Sequence, residues 1–387
     1  MAAPTKGFLV RLVPTLLGRH TFQTHPRWQA CNCGRVLNAR HCSDDSSTSE
    51  ASLGRKFVPR RAMMYVPGND ERKLKKIPSL DLDCVVMDCE DGVALNRKEE
   101  ARSTILRMLD ELEFGRTDIA VRVNAMTSGL AEEDMAVTLT AGRLPTTLML
   151  PKVEDVRHID WFAEQMSVNL NKREEAKAPN LVIFVESARG LLNLQGICER
   201  AFELSELGAP FHLDGIVFGS DDFCADIGAT RTVDAQELLY ARQKVITVAK
   251  AYRLQAIDLV HIDYKDLEGL QTQALKGAQM GFTGKQVIHP SQIPVVQEAF
   301  TPSEEKINWA KELIDGFNQH QSSGAGAFVF RGSMIDMPLV LQARNILQTV
   351  QNITEHREAT GTQGERCTEP KTEDSQSEEV KPDDEKK

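Results

Sequence analysis

Glu186 closes the apolar run LVIFVE (181–186), and Asp221-Asp222 close GIVFGSDD (215–222). An apolar strand that runs straight into carboxylates packs poorly, and its end is a place for chemistry. Hard divalent cations such as Mg²⁺ are held by a few carboxylate oxygens and keep several waters. Two carboxylates at neighbouring strand ends could supply such a site, so Glu186 and Asp222 are the expected metal ligands. Either one alone would serve better as the cap of the helix that follows, because carboxylates favour helix N-termini. As a pair they favour metal.

Other strand ends carry further candidates. Arg122 lies in VRVN, a strand pattern whose apolar neighbours turn its guanidinium toward the end of the sheet. There it could bind a carboxylate bidentately or stabilise an enolate oxygen. It could equally pair with Asp88 or Glu90, and the two roles are compatible. Asp88, Glu90 and Asp91 belong to DCEDG (88–92) and could orient Arg122 or hold metal-bound waters. Lys152 could form a Schiff base in a metal-free aldolase; the Glu186/Asp222 pair argues against that. Arg72, Lys73, Lys75 and Lys76 follow PGND (67–70) and make either a solvated helix face or a seat for phosphates. Asp336, among Met, Ile and Pro in GSMIDMP, is either an acid/base with a pKa raised by its apolar setting or the cap of the last helix. Asn124, Glu154, Asp258, His261, Asp263 and His289 complete the strand ends, the histidines reading as hydrogen-bonded structural or binding residues.

Eight strand-like runs must position these groups: 62–66, 83–88, 119–123, 147–151, 181–185, 215–219, 256–260 and 285–289. Helical patterns follow nearly every one, for example 96–112, 153–166 and 234–252. Short apolar strands alternating with helices predict a parallel sheet. Eight such units match a (β/α)₈ TIM barrel of the α/β class, whose active sites lie at the C-terminal strand ends. A doubly wound open sheet is the alternative, but no GxGxxG follows the first strand. Past the eighth strand, Thr301-Pro302-Ser303-Glu304 predicts a helix start with a cap residue, Pro at the first position and Glu two residues on. A Gly/Ala/Ser stretch (322–327), the segment 328–338 and a last helix near 339–353 complete a C-terminal helical appendage.

Of the 387 residues, 41% are apolar, enough for a sizeable core. No apolar run approaches the roughly 20 residues of a membrane span. A net charge of −10 argues against a general nucleic-acid binder. Residues 1–43 hold Lys6, Arg11, Arg19, Arg27, Arg35 and Arg40 and no acid, the composition of a mitochondrial transit peptide. Without those six, 40 basic residues face 56 acidic ones, a net of −16. Residues 44–56 read as a linker, 57–300 as the barrel domain, 301–356 as the appendage and 357–387 as a disordered acidic tail. Cys84, Cys89, Cys198 and Cys224 lie in the body without zinc or disulfide spacing and read as reduced thiols.

The motifs RRAMMYVPGND (60–70), VVMDCEDGVA (85–94), VRVN (121–124), LMLPKVE (148–154), FVESARGLLN (184–193), FGSDDF (218–223), GFTGKQVIHP (281–290) and GSMIDMP (332–338) together resemble the citrate-lyase-β-subunit-like enzymes of the HpcH/HpaI aldolase superfamily. The resemblance covers roughly residues 57–354. It implies a TIM barrel with Mg²⁺ on Glu186 and Asp222, and Arg122 binding substrate and stabilising an acetyl-CoA enolate. It also implies that Tyr65, Arg72, Lys76, Ile288 and His289 contact substrate or CoA, with Asp88, Glu90 and Asp91 beside them. Asp336 would be the acid/base, supplied by a neighbouring subunit of a homotrimer. The implied reaction is Mg²⁺-dependent cleavage of (3S)-citramalyl-CoA to pyruvate and acetyl-CoA in the mitochondrial matrix. Malate synthase, β-methylmalate synthase and malyl-CoA thioesterase activities would accompany it. Asp221 and Arg72 depart from the family pattern but conserve charge. The phosphoenolpyruvate mutase/isocitrate lyase group also uses Mg²⁺ in a barrel, but its Cys-bearing catalytic loop is not found here. A catalytically dead acyl-CoA-binding barrel is a third alternative, against which the intact set Arg122, Glu186, Asp222 and Asp336 argues.

Overall fold

The computed structural model describes residues 57–358 apart from 172, 174–176 and 323–327. The transit peptide, the linker, nearly all of the tail and most of the Gly/Ala/Ser stretch lie outside the described residues. Every predicted strand forms: β1 Ala62–Pro67, β2 Cys84–Asp88, β3 Asp118–Arg122, β4 Thr147–Leu150, β5 Asn180–Val185, β6 His212–Phe218, β7 Gln255–Asp258 and β8 Gly284–Val287. They pair in parallel and in sequence order, and β1 pairs with β8, so the sheet closes into a barrel. That closure rules out the doubly wound alternative. The helices α1 Glu71–Leu74, α2 Lys98–Glu111, α3 Ala131–Thr138, α4 Val156–Leu170 and α5 Ala188–Glu206 follow the first five strands. After β6 come α6 Ser220–Ile227 and α7 Leu239–Ala251, after β7 α8 Leu267–Met280, and after β8 α9 Gln292–Ala299.

Strands in this fold are buried on both faces, which is why they read as continuous apolar runs. Met63, Val86, Ala120, Met149, Phe184 and Val217 fill the barrel, while Val85, Ile119, Leu148, Ile183 and Ile216 face the helices. Each large apolar side chain so buried contributes ~1.5–3 kcal/mol. At the N-terminal face the buried Arg60 donates to Asp118 of β3 at 2.6 Å and Thr147 of β4 at 3.0 Å, and also pairs with Asp214 of β6. It ties three strands from inside and seals the barrel bottom.

The appendage comprises α10 Glu304–Ser322, a hairpin of β9 Phe328–Phe330 and β10 Ser333–Ile335, and α11 Met337–Glu358. Arg331 and Gly332 both have positive φ (49° and 81°), the conformation of a two-residue hairpin turn. Its own core contains Ala310, Leu313, Ile335, Val340 and Ala343. It meets the barrel near the N-terminal strand ends, where Arg61 donates to Thr301 at 2.8 Å and His356 lies 3.0 Å from the Arg116 carbonyl. Two details correct the sequence reading. Ser303 accepts from the Lys306 amide (3.4 Å) and α10 begins at Glu304, so Thr301 is an anchor for Arg61 and not the cap. The last helix also starts two residues earlier and ends five later than expected.

Candidate active site

Strand register assembles one half of the site. Pro67, Asp88 and Arg122 sit level at the ends of β1, β2 and β3. Arg122 donates through Nε and Nη2 to the two Asp88 oxygens, both at 2.7 Å, and its Nη1 lies 2.9 Å from Glu90 Oε2. These contacts leave guanidinium N–H groups free for a ligand. The Tyr65 and Phe184 rings lie 5.0 and 5.7 Å from its Cζ. Burial alone would raise the pKa of Asp88, but Arg122 and the amides of Glu90 and Gly92 hold it below the ordinary carboxylate value. Glu90 is pushed up to about 7 by burial, against the pull of Arg122 and with Asp91 adding to the rise.

The other half lies across β5 and β6. Val185 and Phe218 are in register, so the next residues, Glu186 and Gly219, are neighbours. Glu186 is buried and accepts the Lys152 amide on Oε2 at 2.8 Å. It is not a helix cap, because Ser187 caps α5 through the Gly190 amide at 3.1 Å. Asp222 stands in the first turn of α6, where the N-cap Gly219 brings no side chain. Burial, then Glu90 and Asp222, push Glu186 up to about 8, and Asp222 is raised too, by burial first. The two line one cavity of about 300 Å³ with Thr127, Lys152, Glu154, His158, Ser187 and Asp226. Among the described residues no three His, Cys, Asp or Glu side chains gather into a closed metal cage. A pair of crowded carboxylates that resist ionisation beside open space fits Mg²⁺, which takes few protein oxygens and leaves positions for water and substrate.

Lys152 links the halves. Its Nζ lies 3.2 Å from Glu90 and 3.6 Å from Asp91. Burial opposes its charge, yet these carboxylates hold it protonated well above the ordinary lysine value. A permanently charged amine is a poor nucleophile, so the geometry gives the Schiff-base reading no support. A second cavity, of about 380 Å³, is lined by Arg122 and Asp88 together with Tyr65, Lys73, Gln286, Ile288 and others.

Several strand-end residues do not join the site. Asp258 is fully buried and bonded to Arg242 of α7 at 2.7 and 3.0 Å, on the helix side of the sheet. Asn124 is fixed to Asp134 at 2.6 Å, and Asp263 accepts the Lys265 amide in its own loop at 3.1 Å. His261 lies 3.7 Å from Asp266. His289 stacks on Tyr264 with ring centroids 4.7 Å apart and contacts Ser291, outside both cavity walls. Arg72 and Lys76 are exposed, and from the basic cluster it is Lys73 that reaches the second cavity, paired with Asp70 at 2.9 Å. Asp336 is exposed, accepts the Leu339 amide at 3.3 Å as the cap of α11, and lines neither cavity.

Sequence reasoning passed over Gln286 and Gly219. The Gln286 amide donates to the Phe218 and Asp258 carbonyls, tying β8 to β6 and β7. A polar residue inside KQVIH was the available signal. Gly219 offered none.

The family model described as HpcH/HpaI aldolase/citrate lyase matches residues 61–290. The chain is 54% identical over 305 residues to the mitochondrial citramalyl-CoA lyase of Homo sapiens, covering 79% of this chain and 89% of that protein. It is 29% identical to a (3S)-malyl-CoA thioesterase of Cereibacter sphaeroides, over 76% of this chain and 96% of that one. The structure resembles protein CitE from Mycobacterium tuberculosis, crystallised with magnesium, acetoacetate and coenzyme A, with a TM-score of 0.59 and 30% identity over 76% of this chain and 98% of that one.

Proposed function

The chain belongs to the HpcH/HpaI aldolase/citrate lyase family, and from that premise we propose that it is a Mg²⁺-dependent carbon–carbon lyase that cleaves (3S)-citramalyl-CoA to pyruvate and acetyl-CoA. The observation that carries this reading is the placement of Glu186 and Asp222 in one cavity, beside an Arg122 that retains free N–H groups. The similarity to a human citramalyl-CoA lyase supplies the substrate. Glu186 and Asp222 would hold the ion. When bound, Mg²⁺ supplies Lewis-acid polarisation and a template for the carboxylate and hydroxyl oxygens of the pyruvate half.

The chain's own residues account for the rest. Asp88 and Glu90 fix Arg122 so that its free N–H groups face the developing enolate oxygen, where preorganised donors stabilise charge at no reorganisation cost. As the C–C bond breaks, its electron pair passes to the thioester carbonyl, and the hydroxyl proton passes to solvent as the ketone forms, which balances the proton that Asp336 gives up and regains from water. Asp336 delivers a proton to the carbon that becomes the acetyl methyl. Tyr65, Lys73 and Ile288 line the approach; the exposed Arg72, Lys76 and His289 lie outside that wall and would meet the CoA phosphates and adenine only beyond it. In reverse, with glyoxylate as electrophile, the same groups give malate synthase activity from acetyl-CoA and β-methylmalate synthase activity from propionyl-CoA, after thioester hydrolysis. The related (3S)-malyl-CoA thioesterase supports that hydrolysis.

Asp336 sits on an appendage attached at the opposite face of the barrel and lines neither cavity, which supports its serving a neighbouring subunit, in the homotrimer that the family resemblance implies. Exposed Val329, Met334, Met337 and Leu341 around it supply an apolar surface for that contact. The barrel (57–300) is thus the metal and substrate domain and the appendage (301–356) the carrier of the acid/base. The mitochondrial relative and the basic, acid-free residues 1–43 support a mitochondrial location, in the matrix. No described helix is long and apolar enough to cross a membrane. Product analysis tests the reading. (3S)-citramalyl-CoA should give pyruvate and acetyl-CoA in equal amounts, whereas free CoA and citramalate would make the protein a thioesterase instead.

A further inference from the structure

Lys152, the second residue after β4, has φ +53°, a left-handed conformation that non-glycine residues seldom adopt. Such backbones persist where the surroundings over-determine them, often at functional sites. Here the conformation aims the Lys152 N–H at Glu186 Oε2, 2.8 Å away, while its Nζ is held by Glu90 at 3.2 Å. The other Glu186 oxygen lies against Gly219, where a Cβ would fall 2.6 Å from Oε1. Gly219 caps the helix that carries Asp222. The carboxylate is therefore gripped on both sides. One oxygen is committed to an amide, and the other faces the helix of the second acid.

A carboxylate held this way offers a cation one oxygen. Ca²⁺ takes six to eight oxygens, often with bidentate carboxylates, whereas Mg²⁺ demands compact octahedral geometry from single oxygens. We propose that the left-handed backbone of Lys152 is a positioning device that keeps Glu186 a one-oxygen ligand and so selects Mg²⁺ over Ca²⁺. This rests on the reading of Glu186 and Asp222 as the metal pair. The N–H direction carries the effect, and the ammonium group does not.

Calorimetric titration of the full chain with MgCl₂ and with CaCl₂ tests it, on the wild type, Lys152→Gly and Lys152→Val. Glycine keeps the positive φ and the amide while removing the ammonium; a β-branched residue disfavours that φ and turns the amide away. The wild type and Lys152→Gly should both bind Mg²⁺ at least ~10-fold tighter than Ca²⁺, and Lys152→Val should lose ~10–100-fold in Mg²⁺ affinity, the usual cost of removing a partner that orients a metal ligand. Its Ca²⁺ affinity should change little, so the preference collapses. Equal Mg²⁺/Ca²⁺ ratios in the Gly and Val variants would overturn the proposal. So would a wild type that binds Ca²⁺ as tightly as Mg²⁺, or a preference lost in Lys152→Gly, and neither result requires the Val variant to fold. A wild type that binds no Mg²⁺ would remove the metal-pair reading itself, a failure distinct from a lost preference.

Discussion

The carboxylate of Glu186 fills the space that a side chain at Gly219 would need: a Cβ there would lie 2.6 Å from Oε1. The contact follows from the β5–β6 register, which sets Val185 against Phe218 and so makes the next residues neighbours. Gly219→Ala should push Glu186 off its place and cut Mg²⁺ affinity by ~10-fold or more, with the barrel still folded, as for other disturbed metal ligands. Titration calorimetry with circular dichroism checks this; unchanged Mg²⁺ affinity would contradict it.

Arg122 meets Asp88 through two parallel N–H bonds and Glu90 through a third contact. Lysine cannot reproduce that fork. Arg122→Lys should lower kcat/KM for the CoA ester by ~100-fold or more, the scale of losing a donor to a developing oxyanion. Steady-state kinetics decide the point, and a loss smaller than about tenfold would remove Arg122 from the transition state.

If Asp336 serves a neighbouring subunit, two inactive variants can repair each other. Glu186→Gln and Asp336→Asn should each be nearly inactive alone. Mixed at equal amounts and reassembled, they should recover about a quarter of wild-type activity, because one site in four pairs an intact Glu186 with an intact Asp336. Recovery of nothing, with mixed oligomers present, would place both residues within one chain.

Lys285 is fully buried on β8 and donates to the Leu259 carbonyl at 2.6 Å and Gln273 at 2.8 Å. Burial, reinforced by Arg242 and Arg231 and opposed by Asp258, lowers its pKa to about 8 from 10.5. Below about 8 it is charged in both states and its burial cost is complete. Between 8 and 10.5 the unfolded chain binds the extra proton, so this lysine's contribution to stability rises with pH. Relative to Lys285→Met, the wild type should gain up to roughly 3 kcal/mol across that window. Urea unfolding of both at several pH values measures it; a difference independent of pH would contradict the lowered pKa.

The barrel was legible because each strand is a short apolar run and each run is followed by a helical pattern. That Glu186 and Asp222 would come together was legible because acids interrupt those runs at their ends, and the two line one cavity. Asp258 reads the same way in sequence and lies elsewhere. β7 is buried along its whole length, so alternation gives no inside or outside, and only Arg242 of α7 reveals which face the acid takes. The left-handed turn at Lys152 leaves no trace in residue type, because lysine has no preference for it. Thr301 had the chemistry of a cap, but Arg61 claims its hydroxyl and Ser303 takes the role.

The most direct measurement is pyruvate release from (3S)-citramalyl-CoA by the protein without residues 1–43, in Mg²⁺ and in excess EDTA. The account predicts rapid release in Mg²⁺, none in EDTA, and recovery when Mg²⁺ is restored. No release in Mg²⁺ would contradict the substrate assignment, and release untouched by EDTA would contradict the role of Glu186 and Asp222.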